Sequence, residues 1–384
     1  MPKQRAQSNR PRPIPADEIE RLAPLPADTA AGAVVPHSRT TMHLLAPPES
    51  RPEPRFELEQ LEDEHGDQVL WRCEIDFGGV EAPRHGQSDG ALELGHARRS
   101  ERARGAVADG LPGFRPPHLP LSYTPRVERQ AGHVTYEYRG RRYRPLYIFG
   151  SDDRHVLVDT SWPWLTVGKV STSDGESGSG ALVGGRIMLT ARHVRPGRSI
   201  DAGSWWMKFT PHAFDGMEPF GSSYVSDLRI YFPTGDTGVD IAHDYMACRL
   251  YEPLGERLGY FGTQEYSEDW NDDEVWAGVG YPGELSAGGR PFVQLRCSFE
   301  DSEDYDGGQI MESEADLTRG DSGGPFWAWF PTSRGNTPRI VAVTAAELDF
   351  GTSIGFVTIH DHDNALAGGS DLVRLVEWAR QNWT

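Results

Sequence analysis

From His155 onward the sequence breaks into short apolar runs: HVLVD, LTVGKV, GALVGGRIMLTA, YMACRLY, EVWAGVGY, PFVQLRC, GGPFWAWF, RIVAVTA and IGFVTI, each bounded by Gly, Asp or Pro. Runs of this length, rich in β-branched and aromatic residues and closed by turn formers, read as short strands, and so many in series predict a barrel or sandwich. With 43 Gly and 29 Pro the chain is poor material for long helices, so an all-β core is expected. Only Ser370 to Asn382 (SDLVRLVEWARQN) shows helical spacing, with Leu372, Leu375, Val376 and Ala379 on one face and Ser370 placed to cap it.

The 384 residues suggest one large folded unit plus further sequence. Residues 1 to about 55 and 96 to 119 are rich in Pro, Ala and mixed charge, and read as disordered arms. Between them, Phe56 to Asp76 has the apolar positions of a short strand or helix. The basic stretch Arg139-Gly140-Arg141-Arg142-Tyr143-Arg144-Pro145 marks a change of composition: residues 1 to 147 hold 21 Lys+Arg against 21 Asp+Glu, and residues 148 to 384 hold 17 against 36. The boundary is placed there, with 1–146 a largely irregular extension and 147–384 the folded domain.

The whole net charge of −19 therefore falls on the second part, a surface that repels phosphate backbones and anionic lipid heads. Nucleic-acid and membrane binding are excluded on that ground, and soluble partners fit better. Three cysteines, Cys73, Cys248 and Cys297, make no disulfide framework, although one Cys248–Cys297 bridge is open. The N-terminus shows no unbroken apolar stretch of a secretory signal, and no segment reaches membrane-spanning length.

Gly320-Asp321-Ser322-Gly323-Gly324-Pro325 sets a serine in a glycine-lined turn, where small neighbours let the backbone bend until two amides face one spot. A serine is a weak nucleophile without a base in reach. Leu189-Thr190-Ala191-Arg192-His193-Val194 supplies a histidine at the end of a β-run, and a buried carboxylate must then fix its tautomer. Asp244, in AHDYMACRL, stands where an acid meets an apolar strand; Asp240 in GVDIAHDY is the reserve.

The order His193, Asp244, Ser322, spaced by 51 and 78 residues in TARHV, HDYMACRL and GDSGGP, resembles the trypsin/chymotrypsin superfamily of serine peptidases. FGSDDRHVLVDTSWPWLTVGKV ahead of GSGALVGGRIMLTARHV resembles its bacterial glutamyl-endopeptidase branch, over roughly residues 147 to 384. The resemblance implies two antiparallel six-stranded β-barrels, about 147–260 and 270–368, then a C-terminal helix at 370–382. It implies a serine endopeptidase acting on a protein or peptide substrate, as a secreted monomer without cofactor. His193, Asp244 and Ser322 would be catalytic, and the Gly320 and Ser322 amides would form the oxyanion hole. Asp316, six residues before Ser322, falls where trypsin-like enzymes keep the acid of the specificity pocket; Thr344, Ala345, Ala346 and Glu347 fall on its other wall, without the histidine of glutamate-specific members. Cleavage after Arg or Lys is the expectation. Asp321 would pair with an α-amine freed by processing of a precursor.

Plainer readings stand beside these. His360-Asp361-His362-Asp363 reads as a solvated loop, with no required metal. Glu300 to Asp316 holds eight acids and no Lys or Arg, a solvated loop or weak cation site. A catalytically inactive protease-fold binding module is the rival function, given the unusual Arg192. An α/β-hydrolase esterase is rejected, because Pro325 to Phe330 reads as a strand where that fold needs a helix.

Overall fold

The structure, a computed structural model, describes residues 11–22, 110–128, 152–201, 203–333, 335–346 and 364–383, together with the strand backbones at Arg55–Glu62, Val69–Asp76, Gly95–His96, Tyr136–Tyr138 and Arg141–Tyr143. The chain divides into two units, Pro26–His85 and the remainder. In the smaller one, Arg55–Glu62 and Val69–Asp76 form an antiparallel pair in continuous register from Arg55 opposite Asp76 to Glu62 opposite Val69, settling the strand-or-helix ambiguity of Phe56 to Asp76.

The larger unit holds two sheets. Seven strands make the first, with Gly95–His96 added parallel to one strand of a six-stranded barrel: β1 (Val167–Thr172), β2 (Ser177–Gly184), β3 (Ile187–Thr190), β4 (Met207–Pro211), β5 (Ser223–Ile230), which pairs with Gly95–His96, and β6 (Met246–Leu250). The six barrel strands pair in the order β4-β1-β2-β3-β6-β5, and β5 returns to β4 through Phe209 opposite Ser223, so the barrel closes on itself. Closure removes free edges, and side chains of one parity fill the interior. Val170, Leu182, Met188, Phe209, Leu228 and Cys248 lie there fully buried, each contributing roughly 1.5–3 kcal/mol relative to exposure when of Val, Leu or Phe size.

The second sheet is longer: β7 (Gly262–Thr263), β8 (Trp276–Gly280), β9 (Phe292–Cys297), β10 (Asp301–Tyr305), β11 (Gly308–Ser313), β12 (Pro325–Thr332), β13 (Gly335–Ala346) and β14 (Asn364–Gly368). It runs β10-β11-β14-β13-β12-β8-β9, is continued by His155–Leu157 and Val127–Glu128, and carries β7 parallel to β13. The closure expected of a six-stranded second barrel is not seen among the described residues, whose pairings leave the two ends of this sheet unjoined. One end is the acidic, largely exposed β10, and the other is lengthened by strands from near the chain's start. Its core is aromatic: Trp276 stacks on Phe299 with ring centroids 5.0 Å apart, among Tyr266, Trp270, Phe326 and Phe330.

Helix Ser370–Asn382 buries Leu372, Leu375, Val376 and Ala379, the face expected from spacing, and Val373 beside them. Ser370 does not cap it; its hydroxyl donates to the Gly307 carbonyl instead, and Gly369 holds the cap position. Near its end, Arg380 donates to the carbonyls of Pro112 and Phe261 at 2.9 and 2.7 Å.

Parts of the two presumed arms are built into this unit. Ile14, buried, donates its amide to Trp329 O at 2.8 Å, ahead of a short helix at Ala16–Leu22. Leu111 and Phe114 bridge to Thr263 and Tyr260, and Tyr123 packs on Trp329 with ring centroids 4.6 Å apart. A few well-placed apolar residues suffice to dock a Pro-rich segment whose backbone bonds an existing sheet. Cys248 and Cys297 are free thiols in separate cores, so the open disulfide is not formed. Glu300 to Asp316, read as a loop, mostly forms the β10–β11 hairpin. Among the described residues no helix is long and apolar enough to cross a membrane, and no group of acids, His or Cys could hold a metal ion. His360 to Asp363 lie outside the described residues.

Candidate active site

The end of β3 turns through a single 3-10 turn, Arg192–Val194, which presents His193 with 45% of its side chain exposed. Asp244, buried, sits between helix Thr237–Ala242 and β6, the strand paired to β3. Both its oxygens hold the histidine: Oδ2 lies 2.6 Å from His193 Nδ1, and Oδ1 accepts the His193 backbone amide at 3.0 Å. A proton on Nδ1 shared with the carboxylate leaves Nε2 as the acceptor. Asp240 is otherwise employed: its carboxylate accepts from the Thr234 and Gly235 amides, pinning a turn.

Arg192 is the neighbour sequence reasoning could not place. Its Nε stands 3.7 Å from Asp244 Oδ1, and its Nη2 donates to Asp240 O at 3.0 Å. Burial by itself lowers the proton affinity of His193, but the hydrogen bond and charge of Asp244 outweigh it and lift the ring above its ordinary 6.5; Arg192 pulls it down and Glu176 up.

Ser322 stands, partly buried, in the turn between β11 and β12. Its carbonyl accepts the Ser179 amide at 2.8 Å, while Gly323 N donates to Thr344 O at 2.8 Å. Gly320 and Gly323 have φ of +101° and +82°, angles a side chain rarely tolerates. A Cβ on Gly323 would meet Thr190 Oγ1 at 2.1 Å and Ala191 N at 2.6 Å, so the serine turn lies directly against the strand end that carries His193. Among the described residues the amides of Gly320 and Ser322 have no acceptor, whereas those of Asp321, Gly323 and Gly324 are all bonded within the fold. No hydrogen bond joins the Ser322 hydroxyl to His193 in this structure.

Asp321 has a partner other than the freed amine that was expected. Arg154 Nη1 lies 3.4 Å from its Oδ2, both side chains being 4% exposed. Arg154 also bonds Asp152 and Glu284, each at 2.9 Å through Nη2, and Thr318 Oγ1 at 3.2 Å. Burial opposes the charge on Arg154, yet its three acids hold the guanidinium protonated more firmly than usual. Burial pushes the Asp321 carboxyl up to about 7, against the opposing pull of Arg154 and the Thr318 amide. The sequence signal for Arg154 was a lone arginine in DDRHVLVD, a charge set against an apolar run that the fold buries.

Asp316 is 2% exposed and its Oδ2 accepts the Asp153 amide at 3.0 Å. With Arg154, Asp321, Gly280, Leu317 and Thr344 it lines a cavity of about 10 Å³, space for one water. Thr344 and Ala345 are buried on β13; Ala346 ends that strand, and Glu347 lies outside the described residues.

A closed antiparallel barrel bears a histidine–aspartate pair and lies beside a glycine-lined serine turn, and the chain is similar to chymotrypsin-like serine peptidases. A stretch of 142 residues is 31% identical to glutamyl endopeptidase of Bacillus licheniformis, covering 37% of this chain and 44% of that protein, so the chain spans less than half the length of that relative. No family model matches the chain. Among solved structures, a Glu endopeptidase in complex with MPD is 19% identical with a TM-score of 0.46, covering 62% of this chain and all of that one. Protease Anisep from Arthrobacter nicotinovorans is 16% identical with a TM-score of 0.38, over 55% of this chain and 93% of that one.

Proposed function

We propose that the chain is a serine endopeptidase in which Ser322 is the nucleophile, His193 the general base and acid, and Asp244 the carboxylate that orients His193. The observation that carries this reading is the double grip of Asp244 on His193, at 2.6 and 3.0 Å, which leaves Nε2 as acceptor on the half-exposed ring. In the first step Ser322 Oγ bonds to the scissile carbonyl carbon as its proton passes to His193 Nε2. The carbonyl oxygen becomes an oxyanion facing the Gly320 and Ser322 amides, which have no acceptor within the described fold. As the C–N bond breaks, His193 returns the proton to the leaving amine. Water, deprotonated by His193, then attacks the acyl ester, and the proton goes back to Ser322. The substrate is a protein or peptide, and these steps need no cofactor or metal. The chain would act as a monomer.

A preference for Arg or Lys before the scissile bond would need Asp316 to exchange the Asp153 amide for the substrate's charge, in a site that is now closed. On the opposite wall, Thr344 in place of an imidazole offers no charge to a glutamate. Residues 1–146 would serve as an extension whose basic stretch at 139–144 is a processing site.

The test is labelling with a fluorophosphonate. The parent protein is modified at Ser322 while Ser322→Ala and His193→Ala are not, and sequencing of peptide-library products gives the preference. An unlabelled parent protein would leave the rival reading, an inactive binding module, whose supporting feature is Arg192 beside Asp244.

A further inference from the structure

The fold encloses a guanidinium, 4% exposed, among three acids, and one of those acids is the residue next to Ser322. Burial of an ionised cluster is costly, and removing one partner from it strands the others. Of the residues around Arg154, only Asp321 and Thr318 belong to the serine turn. Those two are locked to each other: Thr318 N donates to Asp321 Oδ2 at 2.9 Å, and Asp321 N donates to Thr318 O at 3.0 Å. The other carboxylate oxygen is wedged against Gly280, where a Cβ would come within 2.2 Å of it. Asp321 therefore has one seat: the peptide unit that follows it carries the Ser322 amide, and the unit that precedes it, tied down through Asp321 N to Thr318 O, joins it directly to Gly320, whose own amide lies one peptide unit upstream.

We propose that Arg154 is a positioning residue for the nucleophile turn. By neutralising Asp321 from within the chain, it fixes the Gly320 and Ser322 amides toward the oxyanion and makes a freed α-amine at Asp321 unnecessary. This rests on the serine-peptidase reading. Asp152 and Glu284 complete the device, since they hold the guanidinium in place at 2.9 Å each while Nη1 reaches Asp321 and Thr318. The position of Arg154 just before strand His155–Leu157, which pairs with β9, ties the cation to the second sheet, the one that also supports Ser322.

The prediction separates turnover from binding. Loss of one oxyanion donor costs about a hundredfold or more in kcat. Arg154→Met and Asp321→Asn should each lower kcat by about that factor with KM changed less than about threefold, and Arg154→Lys should restore part of it. Because one acts through the other, the double variant should be no slower than the slower single one. The unprocessed 384-residue chain, verified by intact mass, should turn over within about threefold of the same protein trimmed near residues 143–152. A folded Arg154→Met, or Asp321→Asn, with kcat within threefold of the parent overturns the proposal, as does a hundredfold rise on trimming. Should Arg154→Met not fold, Asp321→Asn decides alone, since it removes the group Arg154 is held to act on. Parent activity abolished by Ser322→Ala alongside unaffected Arg154 and Asp321 variants defeats this inference only; parent activity that survives Ser322→Ala defeats the functional reading and this one with it.

Discussion

The two sheets solve the same problem in opposite ways. The first closes through β4 and β5 around mostly non-aromatic contents; the second stays open along the described pairings, fills itself largely with Trp, Tyr and Phe, and recruits strands from elsewhere in the chain. The closed barrel supplies a paired residue set, His193 with Asp244, each on adjoining strand ends. The open sheet supplies a turn whose geometry depends on glycine and on a buried ion cluster. Rigidity from closure thus sets a side-chain pair, while rigidity of the serine turn comes from charge and backbone bonds brought in from distant segments.

The largest expected effect lies where the two meet. Ser322→Ala or His193→Ala should each lower kcat by roughly a million-fold, and combining them should cost no more, because the groups act as one unit. Multiplying losses in steady-state assays would mean that the two sheets contribute independently. Asp244→Asn keeps the shape but offers His193 Nδ1 a donor or a weaker acceptor, and should cost about ten-thousand-fold in kcat with the fold retained in circular dichroism. An effect below tenfold would remove Asp244 from the pair and reopen the question of the base.

On stability, Trp276→Ala empties the aromatic core and should cost about 3–5 kcal/mol in urea denaturation, against about 2–5 kcal/mol for Leu182→Ala in the closed barrel. One cooperative transition in both variants would show that the sheets unfold together; a separate early transition in the Trp276 variant alone would sharpen the contrast between them. The smallest effect concerns pH. His193 must be neutral to accept a proton, and its value is raised above 6.5, so kcat/KM should climb with pH through a midpoint above that figure. Because Arg192 pushes the ring downward, Arg192→Ala should move the midpoint further up; an unmoved midpoint would show that the Arg192 charge does not reach the ring.

Much of the fold was legible because strands announce themselves locally: β2 and β3 are written in GALVGGRIMLTA, and the C-terminal helix in the spacing of Leu372, Leu375, Val376 and Ala379. The residues His193, Asp244 and Ser322 stood out for the same reason, each at a strand end or glycine turn, and Asp244 was separable from Asp240 by the apolar strand that follows it. What depends on distant partners was not legible. Nothing near Arg154 reveals that Glu284 and Asp321, 130 and 167 positions away, will enclose it. Residues 96 to 119 read as a disordered arm because the partners of Leu111 and Phe114, Thr263 and Tyr260, are supplied by other segments. The strand at Val127–Glu128, at one end of the second sheet, escaped notice because it is two residues long.

The docking of residues 110–128 on the second sheet and the C-terminal helix has a physical consequence for the intact molecule. Val127–Glu128 pairs with His155–Leu157, Gly113 N donates to Thr337 Oγ1, and Arg380 clasps the carbonyl of Pro112. Scission of the backbone between 129 and 151 therefore severs a covalent link without dismantling the architecture: the fragments should run as two bands under denaturing conditions and elute together as a single nicked particle in native buffer.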